Sequence, residues 1–243
     1  IFGHGNVAGL GEALYGVRDE LPTFRGHNEQ GMAHIAIAYA KQKQRRRMMA
    51  VTTSIGPGAT NLATAAALAH VNRLPVLLLP GDVFATRAPD PVLQQVESFA
   101  DGTVSANDTL RPVSRYFDRI TRPEQLLQAL PKAMSVLTDP ADCGPVTLGL
   151  CQDVQAEAWD YPEHFFAPRV WRMRRIAPDD AELARAIACL KDARRPLIIA
   201  GGGVRYSSAA AALADFAAGA GIPVAATQAG KSALVEADEM YDG

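Results

Sequence analysis

Cysteine is scarce in this chain of 243 residues, and the three that occur exclude more by their placement than by their number. Cys143, Cys151 and Cys189 are odd in count and widely spaced, with no C-x-x-C pair and no secretory signal ahead of them. That pattern predicts a reducing, cytoplasmic setting, with the thiols serving as small core hydrophobes rather than nucleophiles. Charge of one sign is lacking as well. Lys and Arg number 24 against 26 Asp and Glu, a formal net charge of -2, so there is neither a basic field for nucleic acid nor an acidic tail. No apolar run approaches the roughly 20 residues that span a bilayer, which predicts a soluble protein. No internal repeat of fixed period and no low-complexity tract beyond Ala-rich helices is found.

Several catalytic signatures are missing too. The five histidines, His4, His27, His34, His70 and His164, form neither H-E-x-x-H nor any other metal-ligand spacing, and no metal ligand is assigned. No G-x-S-x-G serves a hydrolase triad. No Lys-Ser or Lys-Thr follows the glycine loop at Gly56, which excludes a P-loop. Gly201-Gly202-Gly203 follows a strand, but G-x-G-x-x-G needs glycine where Tyr206 stands, and the next strand is followed by Thr227-Gln228 rather than a ribose-binding acid. A nicotinamide-dependent (NAD) oxidoreductase built on that turn is kept as the alternative of a different class.

What is present is ordinary globular material, 48% hydrophobic and 21% charged, enough for one large domain or two small ones. Apolar spacing through Val7, Leu10, Leu14 and Val17 predicts a first helix, with Asn6 as a possible N-cap. A second helix is expected from about Glu29 to Arg46, with a stripe of Met32, Ile35, Ala36 and Tyr39 and cations near its end. Met48–Thr53 reads as a buried strand, Ser54–Gly58 as a loop, and Ala59–Val71 as a small-residue helix. The run Pro75–Leu79 has the pattern of a strand covered on both faces and ended by Pro80-Gly81-Asp82. After an irregular stretch from Phe84 to Tyr116, a helix through Leu126–Leu137 leads to a strand at Val146–Leu150.

This alternation predicts an α/β fold, a three-layer parallel sheet with flanking helices, over residues 1–151. Residues 152–178, punctuated by Pro162, Pro168 and Pro178, read as a linker. Residues 179–243 read as the first part of a second, Rossmann-like α/β domain. Its expected helices run Ala181–Leu190 and Ser207–Gly219, and its strands Pro196–Ala200 and Ile222–Ala226. Because the chain opens without Met on a strand-like end and closes after a strand and turn, it is expected to be a fragment of a longer polypeptide.

Among residues that could carry chemistry, Glu29 opens a helix after Gly26-His27-Asn28. A lone acid in a first helical turn is usually structural, since the helix dipole favours it there. About 25 residues on, Thr53-Ser54-Ile55-Gly56-Pro57-Gly58-Ala59-Thr60-Asn61 makes a strand, a glycine loop and a helix start. Such a loop brings backbone close to a flat ring or a phosphate, because glycine admits approaches that a Cβ forbids. Open α/β sheets bind ligands at the carboxyl ends of their strands, so this loop and Asn61 are expected beside Glu29 on that edge.

Asn28-Glu29-Gln30-Gly31-Met32-Ala33, the loop from Thr53 to Asn61, and Pro75–Asp82 together resemble the thiamin-diphosphate superfamily of acetohydroxyacid synthase and pyruvate oxidase, in order and in spacing. Two departures, Asn28 where the family has His and the inserted Ile55 before Gly-Pro-Gly, weigh against a plain acetohydroxyacid synthase. Three further stretches, Ala85–Gln95, Arg111–Ile120 and Leu137–Asp142, are similar to the trihydroxycyclohexanedione hydrolase family of myo-inositol catabolism. The resemblance implies a pyrimidine-binding domain, with Glu29 as the catalytic carboxylate and with Glu29, Pro57 and Asn61 at the cofactor. It implies thiamin diphosphate and Mg2+ as cofactors, the metal and diphosphate being held by a third domain absent from this chain, so that the chain alone is expected to be inactive. It further implies a homodimer or homotetramer and a small-molecule substrate, the cyclic dione, cleaved hydrolytically to 5-deoxy-D-glucuronate. The same-class alternative is a carboligase or decarboxylase acting on a 2-oxo acid.

Overall fold

The computed structural model describes residues 5–234. The chain forms two compact units that divide after Met173, and each is described by itself.

The first unit is built on four parallel strands, β1 (Ala50–Thr53), β2 (Val76–Asp82), β3 (Tyr116–Ile120) and β4 (Pro145–Cys151), in the order β1-β2-β4-β3. Helix α1 (Ala8–Gly16) follows a short 3-10 turn at Gly5–Val7, and α2 (Glu29–Gln42) precedes β1. Helices α3 (Pro57–Thr60) and α4 (Ala63–Val71) connect β1 to β2, and α5 (Leu126–Leu137) connects β3 to β4. β1 to β2 runs across the sheet in one direction and β3 to β4 in the other, so crossovers of one hand place α4 and α5 on opposite faces.

The alternation in β4 agrees with that. Val146 and Leu148 join Ile120, Ala129, Ala133 and Leu137 in a buried cluster under α5. Thr147 and Gly149 turn instead toward the loop and 3-10 helix on the other face, where Ser114 and Asn107 meet them. Each fully buried Leu or Val contributes about 1.5–3 kcal/mol.

Several elements differ from their sequence pattern for identifiable reasons. Asn6 does not cap the first helix. It is buried, its amide donating to the Leu93 carbonyl at 3.1 Å and to Gln152 at 3.5 Å, and α1 begins after Val7. The buried side of α2 is Ala33, Ala36, Ile37 and Ala40, while Ile35 is 62% exposed. Its partner α4 presents Ala65, Ala66 and Ala69, and two alanine faces pack closely where larger side chains would hold the helices apart. The basic run does not continue α2. Gln44 and Arg45 take positive φ, and the Arg45 guanidinium turns in to donate to the Asn72 carbonyl beyond α4. The glycine loop passes into helix two residues before the expected start, because Pro57 occupies N1, where its fixed φ suits a helix and no N–H is needed. β2 runs on through Gly81 and Asp82, which pair with Leu150 and Cys151. The irregular stretch contains a 3-10 helix at Ala106–Val113 with a capping box between Ser105 and Asp108, and it leads into the edge strand β3.

Residues beyond β4 stay with the first unit as far as Met173. There Tyr161 stacks on Phe165 at 5.3 Å, contacts Trp159 and Phe166 edge-on, and donates its hydroxyl to the Pro123 carbonyl at 2.7 Å.

The second unit contains α6 (Asp180–Asp192), β5 (Ile198–Ala200), α7 (Gly202–Tyr206), α8 (Ala210–Ala220) and β6 (Val224–Ala226), with β5 and β6 parallel. Ala200, Ala217, Val224, Ala233 and Leu234 form its core. Asp179 caps α6 by accepting from Ala181 and Glu182. Gly202 and Gly203 open α7, with Gly201 as its extended N-cap, rather than forming an open turn. Gly202 is there for close packing, since a Cβ would lie 3.0 Å from the Tyr206 ring and 3.3 Å from Ala229.

Candidate functional site

A helix that precedes a strand and packs antiparallel to it starts at the strand's carboxyl end. This places Glu29, the first residue of α2, on the edge where β1 ends and the Ser54–Gly58 loop begins. Asn28 fixes that start, its side chain accepting from the Gly31 N–H at 2.9 Å, a cap worth about 1 kcal/mol. On the other side of the edge, Pro57 starts α3 and Asn61 is its C-cap. The Asn61 amide donates to Glu29 Oε2 at 2.8 Å. The second carboxylate oxygen, Oε1, lies 3.6 Å from where a Cβ on Gly58 would stand, and such a Cβ would also overlap the buried Ser54 hydroxyl. Glycine therefore lets the Ser54 hydroxyl and the Glu29 carboxylate come against bare backbone, making a small cradle bounded by a carboxylate, an amide and a hydroxyl. Glu29 and Asn61 are half-buried and Pro57 is exposed, so this is an open half-site on a surface rather than an enclosed pocket.

Gly56 takes φ +57° and ψ -119° and is buried beneath the segment after β2, where a Cβ would overlap the Gln94 carbonyl oxygen. That segment is held at several points. The Ala85 and Thr86 N–H groups donate to the Asp153 carboxylate at 2.8 and 3.1 Å, and Asn6 holds the Leu93 carbonyl. Burial works against the Asp153 anion, yet those N–H donors outweigh it and hold the carboxyl below its usual range.

Sequence reasoning did not find the second polar centre on this edge. Asp82, 1% exposed at the end of β2, accepts from Arg119 Nε at 2.7 Å and Nη2 at 3.2 Å. It also accepts from the Ser105 hydroxyl at 3.1 and 3.2 Å and from the Val83 N–H at 2.8 Å. One carboxylate thus ties both stems of the segment 83–105 to the sheet. The signal was Pro80-Gly81-Asp82, read only as the end of a strand. An open groove of about 470 Å³ lies farther along, lined by Thr86, Thr121, Arg122, Glu124, Glu157 and Trp159 among others. Glu29, Pro57 and Asn61 do not line it.

Burial pushes the Cys151 thiol up to about 12, and Cys143 is raised for the same reason. Both are buried and free, in keeping with thiols that pack rather than react, whereas Cys189 is exposed and is not the core residue expected of it. His70 Nδ1 lies 3.0 Å from the Val113 carbonyl. Among the described residues no group of three His, Cys, Asp or Glu could hold a metal ion, and no helix is long and apolar enough to cross a membrane.

Comparison with known proteins bears on this geometry. The family model for the N-terminal TPP binding domain of thiamine pyrophosphate enzymes matches residues 4–101, and that for the central domain of the same enzymes matches residues 183–243. The chain belongs to the thiamine pyrophosphate enzyme family. Family members similar to it include the 3D-(3,5/4)-trihydroxycyclohexane-1,2-dione hydrolases of Bacillus cereus (strain AH820) and Bacillus anthracis (strain A0248). Each is 56% identical over 242 residues, covering 100% of this chain and 37% of the relative. The hydrolase of Geobacillus thermodenitrificans (strain NG80-2) is 57% identical over 234 residues, covering 96% and 37%. The chain therefore spans a little over a third of the length of the relatives it matches. Its parallel sheet with flanking helices is the α/β fold of this family's N-terminal domain.

Proposed function

We propose that this chain carries the aminopyrimidine side of a thiamin diphosphate site in a cytoplasmic enzyme that hydrolyses a C–C bond of 3D-(3,5/4)-trihydroxycyclohexane-1,2-dione. The observation that carries the reading is the contact between Asn61 and Glu29 Oε2 beside the Gly58 cradle, which engages Oε2 and leaves Oε1 against the Gly58 backbone on a half-buried side chain. The donor set suits an aminopyrimidine, a flat ring offering a nitrogen to a carboxyl group and a face to bare backbone. When bound, thiamin diphosphate supplies a carbon nucleophile whose formation depends on proton exchange within its pyrimidine. Glu29 would serve that exchange by sharing a proton through Oε1, and Pro57 and Gly58 would offer backbone to the ring. Magnesium and the diphosphate are assigned to a domain facing this one from another subunit of a homo-oligomer.

For the substrate, the net change is the addition of water across the bond between the two carbonyl carbons. One carbon gains oxygen and becomes a carboxylate, the other gains hydrogen and becomes an aldehyde, giving 5-deoxy-D-glucuronate. Support for this dione over a 2-oxo acid comes from the names and identity of the relatives and from where the distinguishing stretches lie. Ala85–Gln95 crosses Gly56, and Arg111–Ile120 contributes Arg119 to Asp82, so both bear on the edge that holds Glu29.

The test is Glu29→Gln in the intact enzyme. Gln keeps a hydrogen bond but cannot exchange a proton, so cofactor should bind while C2-proton exchange and ring opening both fall by roughly 100- to 10,000-fold. Near-normal rates in both assays would remove Glu29 from the chemistry.

A further inference from the structure

We infer that Asn61 is a positioning residue, which acts by fixing which oxygen of Glu29 faces the ligand rather than by binding the ligand itself. The inference rests on the function proposed above and deepens it. A carboxyl group that shares a proton has two inequivalent oxygens in its acid form, one carrying hydrogen and one only accepting. The Asn61 amide can only donate from Nδ2, and it does so to Oε2 at 2.8 Å. It thereby commits Oε2 to the accepting role and leaves Oε1, over Gly58, as the oxygen that gains and loses the proton. A donor at Oε2 is satisfied by both protonation states, since a carboxylate oxygen and a carbonyl oxygen each accept. The carboxyl plane therefore need not turn as the proton moves.

The chain places Asn61 there for a structural reason. It caps the one-turn helix opened by Pro57, its N–H bonded to the Pro57 carbonyl, so its side chain is carried on the element that forms the cradle. Glu29 is held from the other side by the capped start of α2. Two separately anchored elements thus meet through one hydrogen bond, and the carboxyl orientation depends on it.

The experiment is a double-mutant cycle in the intact enzyme, comparing Asn61→Ala, Glu29→Gln and the pair, each saturated with thiamin diphosphate. C2-proton exchange is followed by NMR, cofactor affinity by quenching of protein fluorescence, and stability by thermal unfolding. Asn61→Ala should slow exchange about 10- to 100-fold, the scale of a misoriented catalytic group, with affinity changed less than about threefold. In the Glu29→Gln background it should slow exchange no further. Asn61→Asp, of nearly the same shape but offering no amide donor, should be at least as slow as Asn61→Ala, which separates the donor from the volume. A further tenfold loss when Asn61→Ala is added to Glu29→Gln would assign Asn61 to the ligand directly and overturn the inference alone. Normal exchange in Asn61→Ala and Asn61→Asp, with only a lowered melting temperature, would also overturn it and leave Asn61 as a helix cap. Normal exchange in Glu29→Gln would overturn the proposed function and this inference together.

Discussion

Gly56→Ala tests the cradle at its base. Two independent penalties meet there. Gly56 has φ +57° and ψ -119°, a backbone region that residues with a Cβ rarely adopt, and occupying such a region costs about 1–3 kcal/mol. The added methyl would also overlap the Gln94 carbonyl oxygen, a backbone atom that no side-chain rotation can move aside, and overpacking of this kind costs about 1–3 kcal/mol more. The total of about 2–6 kcal/mol lowers the unfolding midpoint of a unit this size by roughly 4–24 °C. The assay is thermal unfolding of the intact protein beside Gly16→Ala as a control. Gly16 ends α1 with nothing within 4 Å of its would-be Cβ, so that change should be neutral or stabilising by up to about 1 kcal/mol. Because Gly56 leads directly into Pro57 and Gly58, the loss should extend to thiamin diphosphate affinity. A Gly56→Ala protein that melts within about 1 °C of the parent and binds cofactor normally would refute the account of the loop.

Three further outcomes are expected. Arg119→Met strands the buried Asp82 carboxylate, and since Ser105 and Val83 still donate to it, the cost in denaturant unfolding should be about 3 kcal/mol, the low end for a broken buried pair. Adding Asp82→Asn should recover part of that, and no recovery would mean that packing, not charge, was lost. Asp153→Asn should cost about 1–2 kcal/mol at pH 7 by loosening the Ala85 and Thr86 N–H groups. Because the folded carboxyl of Asp153 titrates below the ordinary value of 3.8, this stability is fully present above that pH and is lost as pH falls through the folded value, so the two proteins should converge in acid. A gap that does not narrow at all on acidification would show that the charge is not the cause. Iodoacetamide at pH 8 should modify native protein at the exposed Cys189 and spare Cys143 and Cys151 until unfolding, read by mass spectrometry. Rapid native labelling of Cys151 would contradict its burial.

The alternation of strands and helices, the parallel sheet of an α/β fold and the start of a helix at Glu29 were legible in the sequence. They depend on local pattern: the apolar run at Val76–Leu79, the cap at Asn28, the proline and glycines at Gly56–Gly58. β3 was not legible, because an edge strand with a half-exposed face shows no clean alternation. The buried side of α2 was misjudged, because which face a helix turns inward depends on its neighbour, and here alanines on α4 selected alanines on α2 over Ile35. Asp82 read as turn chemistry, since the residues that give it a role, Ser105 and Arg119, lie 23 and 37 positions away. By itself the sequence determined the residue types at the candidate site and the order in which the chain delivers them, because caps, proline and glycine act over a few residues. Only the tertiary structure decided that Asn61 meets Oε2 of Glu29, that Gln94 lies over Gly56, and that one buried carboxylate closes the segment 83–105, because those contacts are set by how separate elements converge on one edge of a sheet.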